Sequence, residues 1–180
     1  MCFCGFYDSP VGRLTLVSDE SSIIGLWLEK QRFYMDVLQG QPCAEKESEA
    51  IRLAKRWLDR YFNGKKPNIN EVPIKLIGSN FRLDVWKRLL EIPYGEVITY
   101  GKLAREIARA KGIDAMSAQA VGCAVGHNPI SILVPCHRVV GANGSLTGYS
   151  GGLQAKRELL TMEGVDMAQF RNLKKIQSRK

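Results

Sequence analysis

The sequence contains no long apolar run. A membrane-spanning helix needs roughly 18 or more consecutive apolar residues, and no stretch of the chain approaches that length. The N-terminus also lacks a basic segment followed by a long apolar stretch, which is the pattern of a secretory signal. We therefore expect no membrane partner and no export, and the apolar share of 45% is typical of a globular protein.

A disulfide framework is absent as well. The cysteines number five, an odd count without regular spacing, and are Cys2, Cys4, Cys43, Cys123 and Cys136. Free thiols are typical of a reducing compartment, so we expect a cytoplasmic, nucleoid-associated protein. Cys2 and Cys4 could form half of a zinc site, but no second Cys or His pair at ligand spacing follows them. We therefore expect no metal.

Positive charge is distributed unevenly along the chain. The net charge is +8, of which residues 1–80 contribute +1 and residues 81–180 contribute +7. The second half is therefore the candidate for binding a polyanion. A solvated basic face without a partner is the more common source of a charge excess, so this pattern needs support from other features.

The first half predicts a small α/β domain over residues 1–75. Strand-like runs occur at 3–7, 14–17 and 23–28. The turn-forming segment 8–12 joins the first two and predicts a hairpin. From Glu47 onward apolar residues recur at helical spacing until Asn63 and Gly64, which predicts a helix that covers the sheet. No catalytic combination of residues occurs here, so we interpret this half as a scaffold.

Residues 80–166 predict a mainly helical domain, followed by a basic tail over 167–180. Helices are expected near 81–90, after Thr99 as far as Gly112, over 117–125, and up to Gly164. Thr99 and Ser117 carry hydroxyls that can cap the helices they precede. Two short helices joined by a turn in the basic half predict a helix-turn-helix.

The second helix of this pair is rich in small residues. Ala118, Ala120, Gly122 and Ala124 are small, and Gln119 is the long polar side chain among them. A helix that reads bases in the major groove presents several long donors and acceptors. We therefore expect DNA binding with little sequence preference, through close approach of the backbone to phosphates or to the minor groove. Tight packing between helices is the structural alternative for such a composition.

The surroundings of Cys136 indicate a reactive thiol. The apolar run 130–134 predicts a buried strand that ends at Pro135, because proline cannot donate to a neighbouring strand. Cys136 follows at the strand end. A thiol is a strong nucleophile only when ionised, which requires a nearby base or positive field, and His137 and Arg138 come next. A buried structural cysteine beside an incidental histidine is the alternative.

The wider motif points to one family. The sequence Pro-Cys-His-Arg-Val-Val at 135–140 is preceded by Gly-His-Asn-Pro at 126–129 and followed by Gly-Tyr-Ser-Gly-Gly at 148–152. This combination resembles the active-site region of the O6-alkylguanine-DNA alkyltransferases, the methylated-DNA–protein-cysteine methyltransferases. The resemblance runs from about 81 to 164 and more weakly through the N-terminal half. It implies a ribonuclease-H-like N-terminal domain and a winged-helix-like C-terminal domain.

The resemblance also implies a reaction. Cys136 is expected to take a methyl or other alkyl group from O6 of guanine in duplex DNA, with O4 of thymine as a second possible source (EC 2.1.1.63). The thioether product is stable, so each molecule acts once. No metal or organic cofactor is needed, and the expected partner is double-stranded DNA that carries an alkylated guanine, bound by a monomer.

Individual roles follow from the same resemblance. His137 is the expected base, acting on Cys136 through a water molecule, and Glu163 orients His137. Asn128 holds the active-site turn, and Tyr100 donates to the extruded guanine. The expected DNA contacts are Ala118, Gln119, Ala120, Gly122, Arg138, Tyr149 and Ser150. Better-known members place an arginine at the position of Gln119, which can insert into the base stack but brings no charge and fewer donors. The preceding segment, 108–116, is also longer than in those members.

Two other functions are compatible with parts of the sequence. A helix-turn-helix regulator or lesion sensor would carry an inert cysteine, but related lesion-binding proteins that cannot transfer alkyl groups have that cysteine replaced. A cysteine hydrolase would use Cys136, His137 and Asn128 and would turn over repeatedly. It would need an oxyanion hole, and no glycine-rich donor loop precedes Cys136.

Overall fold

The computed structural model describes residues 1–170, apart from the side chain of Asn143. The basic residues predicted as a tail, Arg171, Lys174, Lys175, Arg179 and Lys180, lie outside this part. The chain forms two compact units. The first comprises residues 1–78 and 129–133, and the second comprises residues 79–128 together with the chain from Val134 onward. Across residues 1–170, no helix has the length and apolar character to cross a membrane.

A four-stranded sheet forms the first unit, in the order β3-β2-β1-β4. The strands are β1 Cys2–Ser9, β2 Gly12–Ser18, β3 Ile23–Leu28 and β4 Cys43–Glu45. β1 and β2 pair antiparallel from Phe3 with Ser18 to Ser9 with Gly12, which confirms the predicted hairpin. β4 was not predicted. It is three residues long and pairs parallel to β1, with Cys2 opposite Cys43.

Helix α1, Glu49–Phe62, packs its apolar face on this sheet. Ser48 caps it, accepting a hydrogen bond from the Ile51 N–H, and this satisfies one of the free donors of the first turn. The helix buries Ala50, Ile51, Ala54, Trp57, Leu58 and Tyr61, as the helical spacing predicted. Gly5 allows the close approach, because a Cβ there would lie 3.2 Å from Cγ2 of Ile51.

The prediction of a regular strand over residues 130–134 is wrong, although the run is buried as expected. Ile130 makes a single parallel bridge to Leu26. The backbone then turns at Ile132, whose φ of 70° lies in the left-handed region that β-branched residues rarely adopt. The buried Gln31 side chain supports this turn, because its Oε1 accepts from Ser131 Oγ and from the Leu28 N–H.

Helices dominate the second unit: α2 Asn80–Leu89, α3 Tyr100–Lys111, α4 Ala118–Gly126 and α5 Leu153–Met162. Thr99 and Ser117 accept hydrogen bonds from the first turns of α3 and α4, which confirms both predicted caps. Trp86 on α2 donates from Nε1 to the Ala124 carbonyl of α4 at 2.8 Å. Helices α3 and α4 pack together across a short turn, as a helix-turn-helix requires.

Two short strands complete this unit, β5 Ile98–Thr99 and β6 Val139–Val140, which pair parallel. An apolar cluster buries one side of α5 and consists of Val140, Leu146, Leu160, Val165 and Phe170. Cys136, His137 and Arg138 immediately precede β6. The start of α3, the strand pair and the end of α5 therefore surround the segment that carries the motif residues.

Candidate functional site

Cys136 opens a single 3-10 turn, Cys136–Arg138, between Pro135 and β6. Its N–H donates to the Val134 carbonyl at 2.8 Å, and the Arg138 N–H donates to the Pro135 carbonyl at 3.0 Å. The side chain of Cys136 is only 1% exposed. The thiol is therefore fixed in a tight turn and shielded from bulk solvent.

Asn128 lies just beyond the C-terminal end of α4 and is buried. Its Nδ2 donates to the Val134 carbonyl at 2.8 Å and lies 3.1 Å from Sγ of Cys136. The first bond joins the end of α4 to the turn that carries the thiol. The second places an N–H donor at the sulfur, where a hydrogen bond stabilises the negative charge of a thiolate.

His137 and Glu163 form a buried pair. Glu163 is the C-cap residue of α5, and its Oε1 lies 2.7 Å from Nε2 of His137. Because a carboxylate only accepts, Nε2 carries the proton in this bond, and the other ring nitrogen, Nδ1, is the acceptor of a neutral imidazole. This arrangement holds His137 in the tautomer that a base needs.

Burial and charge set the protonation states of this pair. Burial lowers the pKa of His137, and the positive charges of Arg138 and Lys156 add to the effect, although the bond to Glu163 opposes them. The imidazole is therefore neutral at neutral pH. Burial alone would raise the pKa of Glu163, but hydrogen bonds and charges from His137 and Arg138 hold it well below its usual value, so Glu163 is ionised.

The prediction that Arg138 contacts DNA does not fit the structure. Its guanidinium is almost fully buried and binds Glu163 through two bonds, from Nε at 2.9 Å and from Nη2 at 3.0 Å. Nη1 donates to the Ile92 carbonyl at 2.6 Å. Arg138 therefore neutralises the buried carboxylate that orients His137. Arg138 lies in a buried turn and therefore not at the surface. The charge pattern alone could not show this.

Tyr100 begins α3 and spans to the loop that precedes α5. Its hydroxyl donates to the Gly148 carbonyl at 2.8 Å. Gly148 has a φ of 74°, and a Cβ there would lie 2.8 Å from the Tyr100 oxygen, so glycine is required on both grounds. Burial, followed by the nearby charge of Cys136, raises the pKa of Tyr100, and its hydroxyl stays protonated as a donor.

The outer face of α4 carries the predicted DNA-contact residues. Ala118, Gln119 and Ala120 are exposed, and Gly122 is partly exposed. A Cβ at Gly122 would meet the Tyr100 ring at 3.5 Å. Residues Val121, Ala124 and Val125 form the buried face. The small side chains therefore lie toward solvent, and the packing explanation offered for this composition applies only to Ala124.

Comparison with known proteins identifies the family. Models of the 6-O-methylguanine DNA methyltransferase, its ribonuclease-like domain and its DNA binding domain, match residues 2–76 and 80–165. The methylated-DNA–protein-cysteine methyltransferase of Haemophilus influenzae is 42% identical over 160 residues, covering 89% of this chain and 85% of the relative. The chain belongs to the O6-methylguanine DNA methyltransferase family.

Other members of the family are similarly close. The methylated-DNA–protein-cysteine methyltransferase of Mycobacterium tuberculosis strain H37Rv is 44% identical over 156 residues, covering 87% of this chain and 88% of the relative. A crystal structure of M. tuberculosis OGT in complex with DNA superimposes with a TM-score of 0.74 at 39% identity, covering 92% of each chain. Direct reversal of O6-alkylguanine in DNA (EC 2.1.1.63) is the activity of this methyltransferase family. The predicted family, fold class and enzyme class are confirmed.

Within the methyltransferase fold, Tyr149 and Ser150 occupy the loop between Gly148 and α5, and both are partly exposed. The Ser150 Oγ atom is buried and has no hydrogen-bond partner among residues 1–170. An unsatisfied buried hydroxyl is costly, and a bound group that accepts or donates at this position would relieve that cost. The position predicted for Ser150 as a base contact is compatible with this environment.

Lys156 was missed by the sequence analysis. It lies on the buried face of α5, and its Nζ donates to carbonyls of Val139, Thr147 and Gly148 at 2.5, 3.2 and 3.3 Å. Burial lowers its pKa to about 8, and the Cys136 charge opposes this shift. Lys156 therefore ties the Gly148 loop to β6 and adds positive charge near the thiol. The available signal was its spacing from Leu159 and Leu160, which places Lys156 on the apolar face of the helix.

Proposed function

We propose that this chain repairs O6-alkylguanine in duplex DNA by moving the alkyl group to Sγ of Cys136, once per molecule. The observation that carries the proposal is the buried unit of Cys136 and Asn128 beside the His137–Glu163 pair. A nucleophile, a donor to its sulfur and an oriented base with an ionised carboxylate are the parts that thiolate alkylation requires.

The thiol proton has a defined route in this proposal. The neutral His137 presents Nδ1 as an acceptor, and a water molecule between Nδ1 and Sγ transfers the proton from Cys136. The resulting imidazolium is stabilised by Glu163, whose carboxylate accepts from Nε2. The Asn128 amide donates to the thiolate, and the positive charge of Lys156 adds a favourable field.

The transfer is a single displacement. The Cys136 sulfur attacks the alkyl carbon, a C–S bond forms, and the bond from carbon to O6 breaks with its electron pair retained by guanine. The departing base gains negative charge, and hydrogen-bond donors are needed to stabilise it. Tyr100 supplies one when its protonated hydroxyl turns from the Gly148 carbonyl to the base, and the Ser150 hydroxyl supplies a second. The base takes up a proton and becomes ordinary guanine.

The product limits the protein to one reaction. A thioether is not hydrolysed in the way that a thioester is, and regeneration of the thiol would need a further nucleophile strong enough to displace it. We therefore propose stoichiometric repair. We also propose that O4-alkylthymine is a weaker substrate, because it presents an alkylated oxygen to the same sulfur.

DNA binding is assigned to the exposed face of α4. The target atom lies inside the duplex, so the nucleotide must leave the stack at a cost of a few kcal/mol, and Gln119 fills the space it leaves. The small side chains Ala118, Ala120 and Gly122 allow the helix backbone to approach the DNA without reading its sequence. All these residues come from one chain, which supports a monomer. We place it in the cytoplasm, associated with the nucleoid.

The experiment is identification of the alkylated residue. The protein is incubated with a duplex that carries a single O6-methylguanine, digested, and mapped by mass spectrometry. We expect a methyl group on Cys136 and none on Cys123, the exposed cysteine of α4. Cys136→Ala should abolish the transfer, and Cys123→Ala, the matched control, should leave it unchanged.

The same experiment separates the competing functions. A lesion sensor would bind the duplex without gaining mass on any cysteine. A cysteine hydrolase would show no methylated peptide and would act repeatedly on ester or amide substrates. Methyl transfer to a residue other than Cys136 would overturn the assignment of the nucleophile while leaving the family assignment intact.

A further inference from the structure

Three of the five cysteines lie together in the first unit, at one end of its sheet. Cys2 of β1 and Cys43 of β4 are directly opposite each other in the parallel pairing. Direct partners in a sheet project to the same face, and so does a residue two positions along the same strand. Cys2, Cys4 and Cys43, which we call the thiol cluster, therefore share one face.

The thiol cluster borders an apolar layer that α1 does not cover. Val17, Ile24, Trp27 and Leu38 form this layer, and all three cysteines pack against it while remaining partly exposed. The chain between β3 and β4 covers the layer through Met35 and Val37, and four non-glycine residues of this segment have left-handed backbone conformations. These are Lys30, Phe33, Met35 and Gln39. Such conformations are costly for residues other than glycine, so this covering segment depends on the contacts that hold its two ends.

The positions of Cys2 and Cys43 fit a disulfide. Neighbouring strands lie about 4.7–4.9 Å apart, and disulfides join Cα atoms about 4.4–6.8 Å apart. The Cys2 thiol is near enough to that of Cys43 to raise its pKa, after the larger effect of burial. Cys2 and Cys4 are two residues apart on one strand, about 6.6 Å, which is close to the upper limit of that range. Within residues 1–170, no group of three His, Cys, Asp or Glu side chains is placed to hold a metal ion, which favours pairing of thiols over metal binding.

We propose that Cys2 and Cys43 are an oxidative modification site, at which a peroxide converts the two thiols to a disulfide that fastens β4 to β1. The site lies in the first unit and uses none of the residues assigned to alkyl transfer. It therefore stands independently of the proposed function.

The chemistry balances with hydrogen peroxide as the oxidant. The Cys2 sulfur attacks one peroxide oxygen, an S–O bond forms, the O–O bond breaks, and the departing hydroxide takes the thiol proton to leave as water. The Cys43 sulfur then attacks the Cys2 sulfur, an S–S bond forms and the S–O bond breaks, and a second water leaves with the Cys43 proton. Burial and the neighbouring Cys2 raise the pKa of Cys43 to about 11, so Cys43 is protonated at neutral pH and reacts second.

The disulfide would constrain a substantial part of the first unit. It closes the chain from Cys2 to Cys43, a loop of about 40 residues that contains β2, β3 and the covering segment. β4 has only three residues and only β1 as a strand partner in the four-stranded sheet, so its attachment is otherwise weak. Oxidation should therefore raise the melting temperature of the full-length protein.

The test is peptide mapping of the full-length protein after treatment with a slight excess of hydrogen peroxide, without reductant. Trypsin cleaves after Arg13, Arg32 and Lys46, so the product should be the peptide 1–13 joined to the peptide 33–46 with the loss of two hydrogen atoms. We expect the melting temperature to rise by about 5 °C and to return on reduction. Cys2→Ser and Cys43→Ser should each lose the linkage and the rise, and Cys4→Ser, the matched control, should keep both.

Several results would overturn the proposal. One is a linkage that persists in Cys2→Ser, which would assign it to Cys4. Another is Cys43 fully available to iodoacetamide after oxidation while Cys2 has become a sulfinic acid. Fragmentation of the linked peptides from the unsubstituted protein distinguishes Cys2 from Cys4, which share the peptide 1–13, and decides the matter even where a serine variant folds poorly. If the oxidised protein still accepts one methyl group per molecule from O6-methylguanine, the modification leaves Cys136 functional. Loss of transfer while the Cys136 thiol is intact would contradict the independence of the site.

Discussion

The side-chain amide of Asn128 lies 3.1 Å from the sulfur of Cys136 and 2.8 Å from the carbonyl oxygen of Val134. One amide group therefore connects the end of α4, the helix that we propose contacts DNA, to the turn that carries Cys136.

Replacement of Asn128 by alanine should slow alkyl transfer about 10- to 100-fold. The change removes a donor to the thiolate and one of the two donors to the Val134 carbonyl, which keeps the bond from the Cys136 N–H. Loss of a hydrogen bond to a charged sulfur is worth about 1–3 kcal/mol. Single-turnover repair of a duplex with O6-methylguanine measures the rate, and circular dichroism checks the fold. His127→Ala, which changes the adjacent residue, is the control. A folded Asn128→Ala protein that reacts at the normal rate would contradict the role assigned to Asn128.

The rate of transfer should stay constant as pH falls toward 6.5 and decrease only below it. Burial lowers the pKa of His137 below the usual histidine value of about 6.5, so the base stays neutral to lower pH than an exposed histidine. The free energy of unfolding should also decrease as pH falls. The unfolded chain binds a proton near pH 6.5 that the folded chain does not, so the free energy of unfolding is lost as pH falls below that value.

Two histidine variants test whether His137 causes this pH dependence. The chain has only two histidines, His127 and His137. His137→Asn should abolish the dependence of stability on pH between about 5 and 6.5, and His127→Ala should preserve it. Denaturant unfolding at each pH measures both. A decline in rate that begins well above pH 6.5 in the unsubstituted protein would argue against a buried, neutral His137.

Lys156→Met should reduce alkyl transfer at least about 10-fold while leaving DNA affinity unchanged. The substitution keeps the apolar stem of the side chain but removes its charge and its bonds to the Val139, Thr147 and Gly148 carbonyls. The Gly148 carbonyl keeps the bond from Tyr100, and each buried hydrogen bond lost without replacement costs about 1–3 kcal/mol. Arg157→Met, next along α5, is the matched control. Equal rates in the two variants would restrict Lys156 to a role outside the reaction.

Gln119→Arg should tighten DNA binding and steepen its dependence on salt. An added cation that neutralises one phosphate changes the slope of the logarithm of the affinity against that of salt concentration by about 0.9. Gln119→Ala should instead weaken binding to duplexes in which the target base is paired, because nothing fills the vacated space. Fluorescence anisotropy measures both. Identical affinities of all three proteins at every salt concentration would remove Gln119 from the interface.

Local patterns predicted much of the fold. The caps at Thr99 and Ser117, the hairpin of β1 and β2, and helix α1 depend on residues close in sequence, and all were found. The strand predicted over 130–134 failed because Ile132 adopts a left-handed conformation supported by Gln31, a hundred residues away from Ser131 in sequence. Apolar periodicity carries no information about such a distant partner.

The site residues show the same difference between local and distant information. The neighbouring motif residues Cys136 and His137 could be named from sequence, and family resemblance supplied Glu163 and Asn128. Arg138 was predicted as a DNA contact but is buried, and Lys156 was missed. In both cases the charge of the side chain suggested an exposed position. Their places depend on buried partners, the Glu163 carboxylate for one and three backbone carbonyls for the other. The burial of a charge becomes visible only when its compensating partners are in place.

The most direct test of the account is a titration. A fixed amount of protein is mixed with increasing amounts of duplex carrying O6-methylguanine, and the repaired guanine is counted after the reaction stops. We expect a sharp plateau at one guanine per active protein molecule, with Cys136→Ala giving none. Repair that continues past one equivalent would show that the Cys136 thioether is not the end of the reaction, and would contradict the central claim.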